Sequence, residues 1–172
     1  MYFFNFYIFP MKWIPLLAFL ALAFWTAANI LIRKKGGKVQ GVWRAVTVVL
    51  TLASVCCALY FTVFGRAEEP ALSMPFIRTV EQIKAQPELI REMVMNALLF
   101  FPLGLSMPYA IGGKPKKAVL LTLAFALLLT CAIEWIQYRS HSGNAELSDI
   151  LCNLLGAAIG SASYLLKNKF AR

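Results

Sequence analysis

The sequence predicts an all-α fold: a polytopic integral membrane bundle of five transmembrane helices. Three observations carry that prediction. Apolar residues make up 60% of the 172-residue chain and charged residues only 15%, where a water-soluble domain has about 45–50% and about 25%. Mean hydropathy is +0.67. The apolar residues also fall into five blocks, each close to the roughly 20 residues that a helix needs to cross a hydrocarbon core about 30 Å thick. The whole chain, 1–172, reads as a single membrane domain.

The first block, 13–32, is too long for the apolar core of a secretory signal and is followed by Arg33-Lys34-Lys35, so it reads as a retained span that stops at those charges. The second covers 45–64. The third covers 93–111 and is interrupted by Pro102 and Gly104, which predict a kink whose freed backbone groups must be taken up within the bundle. The fourth covers 118–138 and the fifth 150–166. Between the second and third, Phe76, Val80, Ile83 and Lys84 stand at helical spacing and suggest a short helix lying in the interface. Pro87-Glu88 then fits a helix start, where proline suits the first turn and an acid complements the dipole.

Charge assigns the two ends. Arg33, Lys34, Lys35, Lys38, Arg44, Lys114, Lys116, Lys117, Lys167, Lys169 and Arg172 fall in one alternating set of connections, and no acid falls there. Lys12, Arg66, Arg78, Lys84, Arg91 and Arg139 fall in the other, with all eight acids on that side or in its half of the membrane. Basic residues mark the cytoplasmic side, which places the N-terminus outside and the C-terminus inside. The net charge of +9 comes from short basic runs between apolar blocks rather than a groove with interleaved aromatics. It therefore excludes nucleic acid and points to anionic lipid headgroups.

Polar side chains inside spans cost about 2.5–3.5 kcal/mol each when ionisable, and so face the bundle interior. Asn96 lies near the outer end of the third span. Glu134 and Gln137 lie one turn apart near the outer end of the fourth, and Asp149 and Asn153 share a face at the outer start of the fifth. His141 and Glu146 sit in the connection between the last two. Five residues, Asn96, Glu134, Gln137, Asp149 and Asn153, thus come from three helices to one depth and form a candidate ligand-binding cluster. Each also has a structural role open to it: helix–helix hydrogen bonding for Asn96, an interfacial position for Gln137, and a Ser148-capped helix start for Asp149. No spacing among Glu134, His141 and Asp149 supports a metal, and the chain calls for no cofactor. Gly156 and Gly160 form a GxxxG pattern suited to close helix packing, within the chain ahead of dimerisation. Cys56, Cys57, Cys131 and Cys152 lack CxxC spacing and read as small buried apolar side chains.

Taken in order, these residues resemble a known family. Asn96-x-x-Leu99-Phe100-x-Pro102-Leu103-Gly104 resembles the first motif of the VanZ-like membrane proteins. Glu134-x-x-Gln137 is similar to the family's E-x-x-Q, and Asp149-Ile150-x-x-Asn153-x-x-Gly156-x-x-x-Gly160 to its third motif; Met74-Pro75-Phe76 resembles the step that precedes the first. The likeness covers 45–166 and leaves 13–32 as an additional N-terminal helix. Where relatives carry an arginine in the loop before the third motif, this chain has Asn144, with Arg139 earlier in that loop.

The resemblance implies a multi-pass protein of the bacterial plasma membrane that acts at the cell envelope and contributes to resistance against the glycopeptide teicoplanin. Its expected partners are membrane lipids and lipid-linked cell-wall intermediates, bound at the outer polar cluster. The chain contains no complete catalytic motif, so binding stands ahead of catalysis. An enzyme acting on an envelope lipid, with Glu134 or Asp149 as general base, remains open. So do a small transporter subunit and a purely structural role for the cluster.

Overall fold

The computed structural model describes residues 14–33, 37–64, 87–140 and 146–170, and among these only 112–114 and Glu146 lie outside helices. In chain order, α1 is Ile14–Arg33 and α2 is Gly37–Leu59, which continues into a π-helical turn, Tyr60–Phe64. Then come α3 (Pro87–Ile111), α4 (Pro115–Ser140) and α5 (Leu147–Phe170). Four stretches are long and apolar enough to cross a membrane: Gly37–Val63, Leu89–Ile111, Pro115–Ser140 and Leu147–Lys167. In α1 the apolar stretch is the shorter Leu16–Ile32. The fold is a polytopic helical membrane bundle. Helices α2 to α5 outrun their apolar blocks, because polar and basic residues at the ends still satisfy helical backbone bonds, while α1 matches its block to within one residue at each end. The interfacial helix expected near 76–84 lies outside the described residues.

Parallel helices α3 and α5 form the centre; α2 packs on α3, α4 packs on both, and α1 packs chiefly on α5. The core between them is built from Ala58, Phe100, Leu103, Ala126, Ile133 and Ala157. Bulk is distributed opposite to a soluble helix. On α5 the inward face carries Gly156, Ala157, Gly160, Ser161 and Tyr164, while Leu151, Leu155 and Ile159 point outward. Leu128 is 70% exposed and Phe24 75%, a surface that only a hydrocarbon solvent accepts.

Small residues serve the same geometry. The α3–α5 pair comes so close that Gly156 lies against the Ala97 carbonyl, Gly160 against Phe101 and Leu105, and Gly104 against Ala157. The GxxxG glycines are therefore used within the chain. Gly104 is a contact point, and α3 stays helical through both Pro102 and Pro108. Pro108 has no N–H to give Gly104, four residues back. The freed Gly104 carbonyl instead accepts from the Ser161 hydroxyl at 3.4 Å.

Gly112 and Gly113 connect α3 to α4 with φ of 72° and 77°, left-handed values suited to glycine at a helix C-terminus. Pro115, whose missing N–H costs nothing at a first helical position, starts α4. Arg44 donates to the Ala110 and Ile111 carbonyls at 3.1 and 3.4 Å, tying α2 to the last turn of α3. At this end, Trp25 packs on Trp43 and Tyr109, Tyr109 meets Tyr164 edge-on, and the Lys167 ammonium stands 4.8 and 4.7 Å from the two tyrosine rings. The described basic residues Lys38, Arg44, Lys114, Lys116, Lys117, Lys167 and Lys169 lie at this end, as the charge pattern required.

The cysteines depart from expectation. Cys152 is buried, but Cys56, Cys57 and Cys131 are exposed on the bundle. Apolar character alone does not distinguish a side chain facing protein from one facing lipid.

Candidate functional site

At the opposite end, α2, α4 and the start of α5 bring polar side chains together in the interior. Glu134, Gln137, Glu146, Asp149 and Asn153 are all at least 95% buried. Their positions follow from helix periodicity. Thr130, Glu134 and Gln137 recur at i, i+4 and i+7 on one face of α4, and Asp149 and Asn153 are i, i+4 on α5. Because α4 and α5 are antiparallel neighbours, the two faces meet.

Specific bonds connect them. A Glu134 carboxylate oxygen accepts from the backbone N–H of Glu146 at 3.0 Å. Glu146 is the N-cap of α5: its carbonyl accepts from the N–H groups of Asp149 and Ile150 at 3.1 and 3.4 Å, and its carboxylate accepts from the Ser148 hydroxyl at 3.0 Å. The expected Ser148 cap is thus displaced by two residues, to Glu146. The helix starts a residue before Ser148, which lies in the first turn and donates to the cap residue. Asp149 is in that first turn, where its charge suits the dipole.

Asn153 donates through Nδ2 to the Thr130 hydroxyl at 2.8 Å, a buried α4–α5 bond. Gln137 donates through Nε2 to the Thr62 carbonyl at 2.8 Å. Thr62 lies in the π-helical turn that ends α2, among the terminal carbonyls that lack an in-helix donor; its own hydroxyl donates back to Ala58. Asn96 is half-buried on α3 and immediately precedes Ala97, the residue against Gly156, which sets it level with Asn153. Pro102 is exposed on the same helix, while Gly104, Gly156 and Gly160 seal the α3–α5 contact beneath the cluster.

The cluster lies near a boundary. Trp135 and Tyr138, 65% and 60% exposed, project from the same turns of α4 as Glu134 and Gln137. Such amphipathic rings collect where hydrocarbon meets water. His141 and Asn144 lie outside the described residues. No group of three or more His, Cys, Asp or Glu side chains is placed to hold a metal among the described residues.

Chemically the site is rich in acceptors. Three carboxyl groups and two side-chain amides converge, and the amide oxygens Gln137 Oε1 and Asn153 Oδ1 are buried with no hydrogen-bond partner among the described residues. Burying such a group unsatisfied costs about 1–3 kcal/mol. Sequence reasoning missed three participants. Thr130 was legible as the i−4 neighbour of Glu134. Thr62 acts through its backbone and leaves no signal of side-chain type. Glu146, read only as a loop residue, organises the helix start.

One test separates bonding from mere proximity here. Thr130→Val and Asn153→Leu are each expected to lower the thermal stability of the purified protein. The double-mutant cycle should return a coupling of about 0.6 kcal/mol, the average for hydrogen bonds between membrane helices. Strict additivity would show that the bond contributes nothing.

Comparison with known proteins agrees with the motif reading. A family model described as VanZ/LLP1 matches residues 13–168, taking in α1 as well as the later helices. Protein VanZ of Enterococcus faecium is 34% identical over 82 residues, which make up 46% of this chain and 47% of that relative; the match thus spans about half the length of the relative. No solved structure matches the chain. With matching residues running from the start of α1 to the last turns of α5, the chain belongs to the VanZ/LLP1 family of proteins.

Proposed function

We propose that this VanZ-family membrane protein binds a lipid headgroup or a lipid-linked envelope intermediate at the cluster of Asn96, Glu134, Gln137, Asp149 and Asn153. We further propose that the cluster faces the outer leaflet of a bacterial plasma membrane, with the basic end in the cytoplasm, as the distribution of lysine and arginine favours. The observation that carries the binding reading is the pair of buried amide oxygens, on Gln137 and Asn153, that have no hydrogen-bond donor among the described residues, at the end of the bundle that also holds three buried carboxyl groups. A membrane bundle that only stitched its helices together would satisfy such atoms internally.

Likeness to VanZ extends the reading to teicoplanin. A pocket that engages an envelope intermediate at the outer leaflet acts where a glycopeptide meets its target. The test is teicoplanin susceptibility of a Gram-positive host expressing wild type, Glu134→Gln or Asp149→Asn at matched membrane levels. Protection by wild type, lost in both variants, is the expected result. Equal protection by all three would remove the cluster from the function. No protection by any would remove the drug from it and direct attention to Asn144, whose replacement by arginine is the next variant.

A second reading, a membrane enzyme acting on an envelope lipid, gains one observation: the Ser148 hydroxyl donates to the Glu146 carboxylate at 3.0 Å, the arrangement of a nucleophile beside a base. It requires turnover that Ser148→Ala abolishes.

A further inference from the structure

Among the described residues, α2 leaves α geometry in one place, the π-helical turn Tyr60–Phe64 at its outer end. No proline or glycine within the turn forces the change. Single π turns are rare and collect at functional sites. This one has both faces in use. Inward, the buried Thr62 presents its carbonyl to the Gln137 amide at 2.8 Å. Outward lies an apolar groove of about 560 Å³, lined among the described residues by Cys56, Cys57, Leu59, Tyr60 and Phe61. Such a volume falls within the range of small-molecule sites, about 300–1,000 Å³.

Depth and chemistry name the occupant. The groove belongs to the span Gly37–Val63. It is continuous with the exposed apolar face of α2, which carries Val49 and Leu52 and has hydrocarbon as its solvent. Water gains nothing from such walls. The bond from Gln137 to Thr62 sets the outer end of the groove level with the polar cluster. Cys56, six residues before Thr62, lies about 9 Å deeper at the rise of a helix. A lipid with its headgroup at the level of the cluster has a chain at that depth.

We propose that the groove seats one hydrocarbon chain of the lipid whose headgroup enters the cluster, with the π turn as the wall between the two. This rests on the reading of the cluster as a headgroup site, and it makes the ligand an anchored lipid rather than a soluble molecule of the same headgroup chemistry. Apolar walls do not choose among lipids, because bulk chains offer the same solvent. Selection comes from the headgroup, so occupancy of the groove by one lipid class depends on the cluster.

The experiment introduces a photoreactive side chain, Tyr60→p-benzoylphenylalanine, into the full-length protein in host membranes, where illumination joins it to C–H bonds within reach. The control is Leu151→p-benzoylphenylalanine, exposed near the outer end of α5 and outside the groove. Mass spectrometry of the purified protein identifies the adducts. The expected result is one lipid class enriched at position 60 by at least about ten-fold over position 151, the scale of one charge-assisted hydrogen bond to its headgroup. Cys57→Trp, which fills the groove from an exposed position, should return position 60 to the mixture seen at position 151. Glu134→Gln and Asp149→Asn should do the same.

The same lipid mixture at both positions would overturn the chain seat and leave the headgroup reading standing. So would an adduct of twice the protein mass, which puts a second copy in the groove, or an adduct within the chain itself. Enrichment that survives Cys57→Trp would also overturn the seat. Enrichment lost in Cys57→Trp but kept in both Glu134→Gln and Asp149→Asn would overturn the pairing of groove and cluster, and the headgroup reading with it. Should Cys57→Trp fail to fold, the two photoreactive positions and the cluster variants decide alone.

Discussion

Gly156→Leu should abolish the native bundle, and Gly156→Ala should lower its thermal stability markedly. A Cβ on Gly156 would fall inside contact distance of the Ala97 carbonyl, carbon and Cα, all backbone atoms of α3 that cannot turn aside. The two helices would have to separate over the length of their contact, which also includes Gly160 against Phe101 and Gly104 against Ala157. Overpacking a tight site costs about 1–3 kcal/mol, and an obstructing backbone puts alanine at the upper end of that range and leucine beyond it. The comparison is internal. Gly41 lies within α2 with nothing within 4 Å of its added Cβ, so Gly41→Ala should be neutral or stabilising by up to about 1 kcal/mol. Thermal unfolding of the detergent-solubilised protein, followed by the fluorescence of its four tryptophans, reads all three. A Gly156→Ala protein as stable as Gly41→Ala would show that the α3–α5 contact is looser than described.

Glu134→Ala should destabilise, and Glu134→Gln should separate stability from function. The Glu134 carboxylate receives the backbone N–H of Glu146, the cap of α5. Alanine leaves that buried donor without its acceptor, at a cost of about 1–3 kcal/mol. Glutamine keeps an oxygen at the same reach but gives up the charge, and with it roughly half the strength of the bond. Its thermal stability should therefore lie between wild type and alanine. In the susceptibility assay, by contrast, Glu134→Gln should behave like the alanine variant, because the proposed binding draws on the carboxyl group itself and not only on an oxygen at that reach. A glutamine variant that protects the host as well as wild type would reduce Glu134 to a helix-start acceptor.

Much of this site was legible in the sequence. Glu134 and Gln137, and Asp149 and Asn153, stand at spacings that put each pair on one helix face, inside spans where a polar side chain has no reason to be unless it faces protein. Their convergence at one level followed from counting residues back from the ends of alternating spans. The cysteines and Glu146 were not legible in the same way. A span that is apolar on every side does not say which face meets protein, and three of the four cysteines meet the outside. Glu146 acts chiefly through its backbone, as does Thr62, and a side-chain alphabet carries little information about backbone partners. The consequence of Pro108 was equally hidden, because its effect is to free a carbonyl that another helix then takes up.

By itself, then, the sequence determined that the chain is a helical membrane bundle, where its helices lie, which end collects the basic residues, and which polar side chains share faces. Period and composition suffice for these because each depends on one helix and its solvent. Only the tertiary structure decided that Gly104, Gly156 and Gly160 join α3 to α5, that Glu146 links Glu134 to the start of α5, and that Gln137 spends its nitrogen on Thr62. Those outcomes depend on distances between helices. A difference of one methyl group at the α3–α5 contact changes them, while the hydrophobic pattern of either helix stays the same.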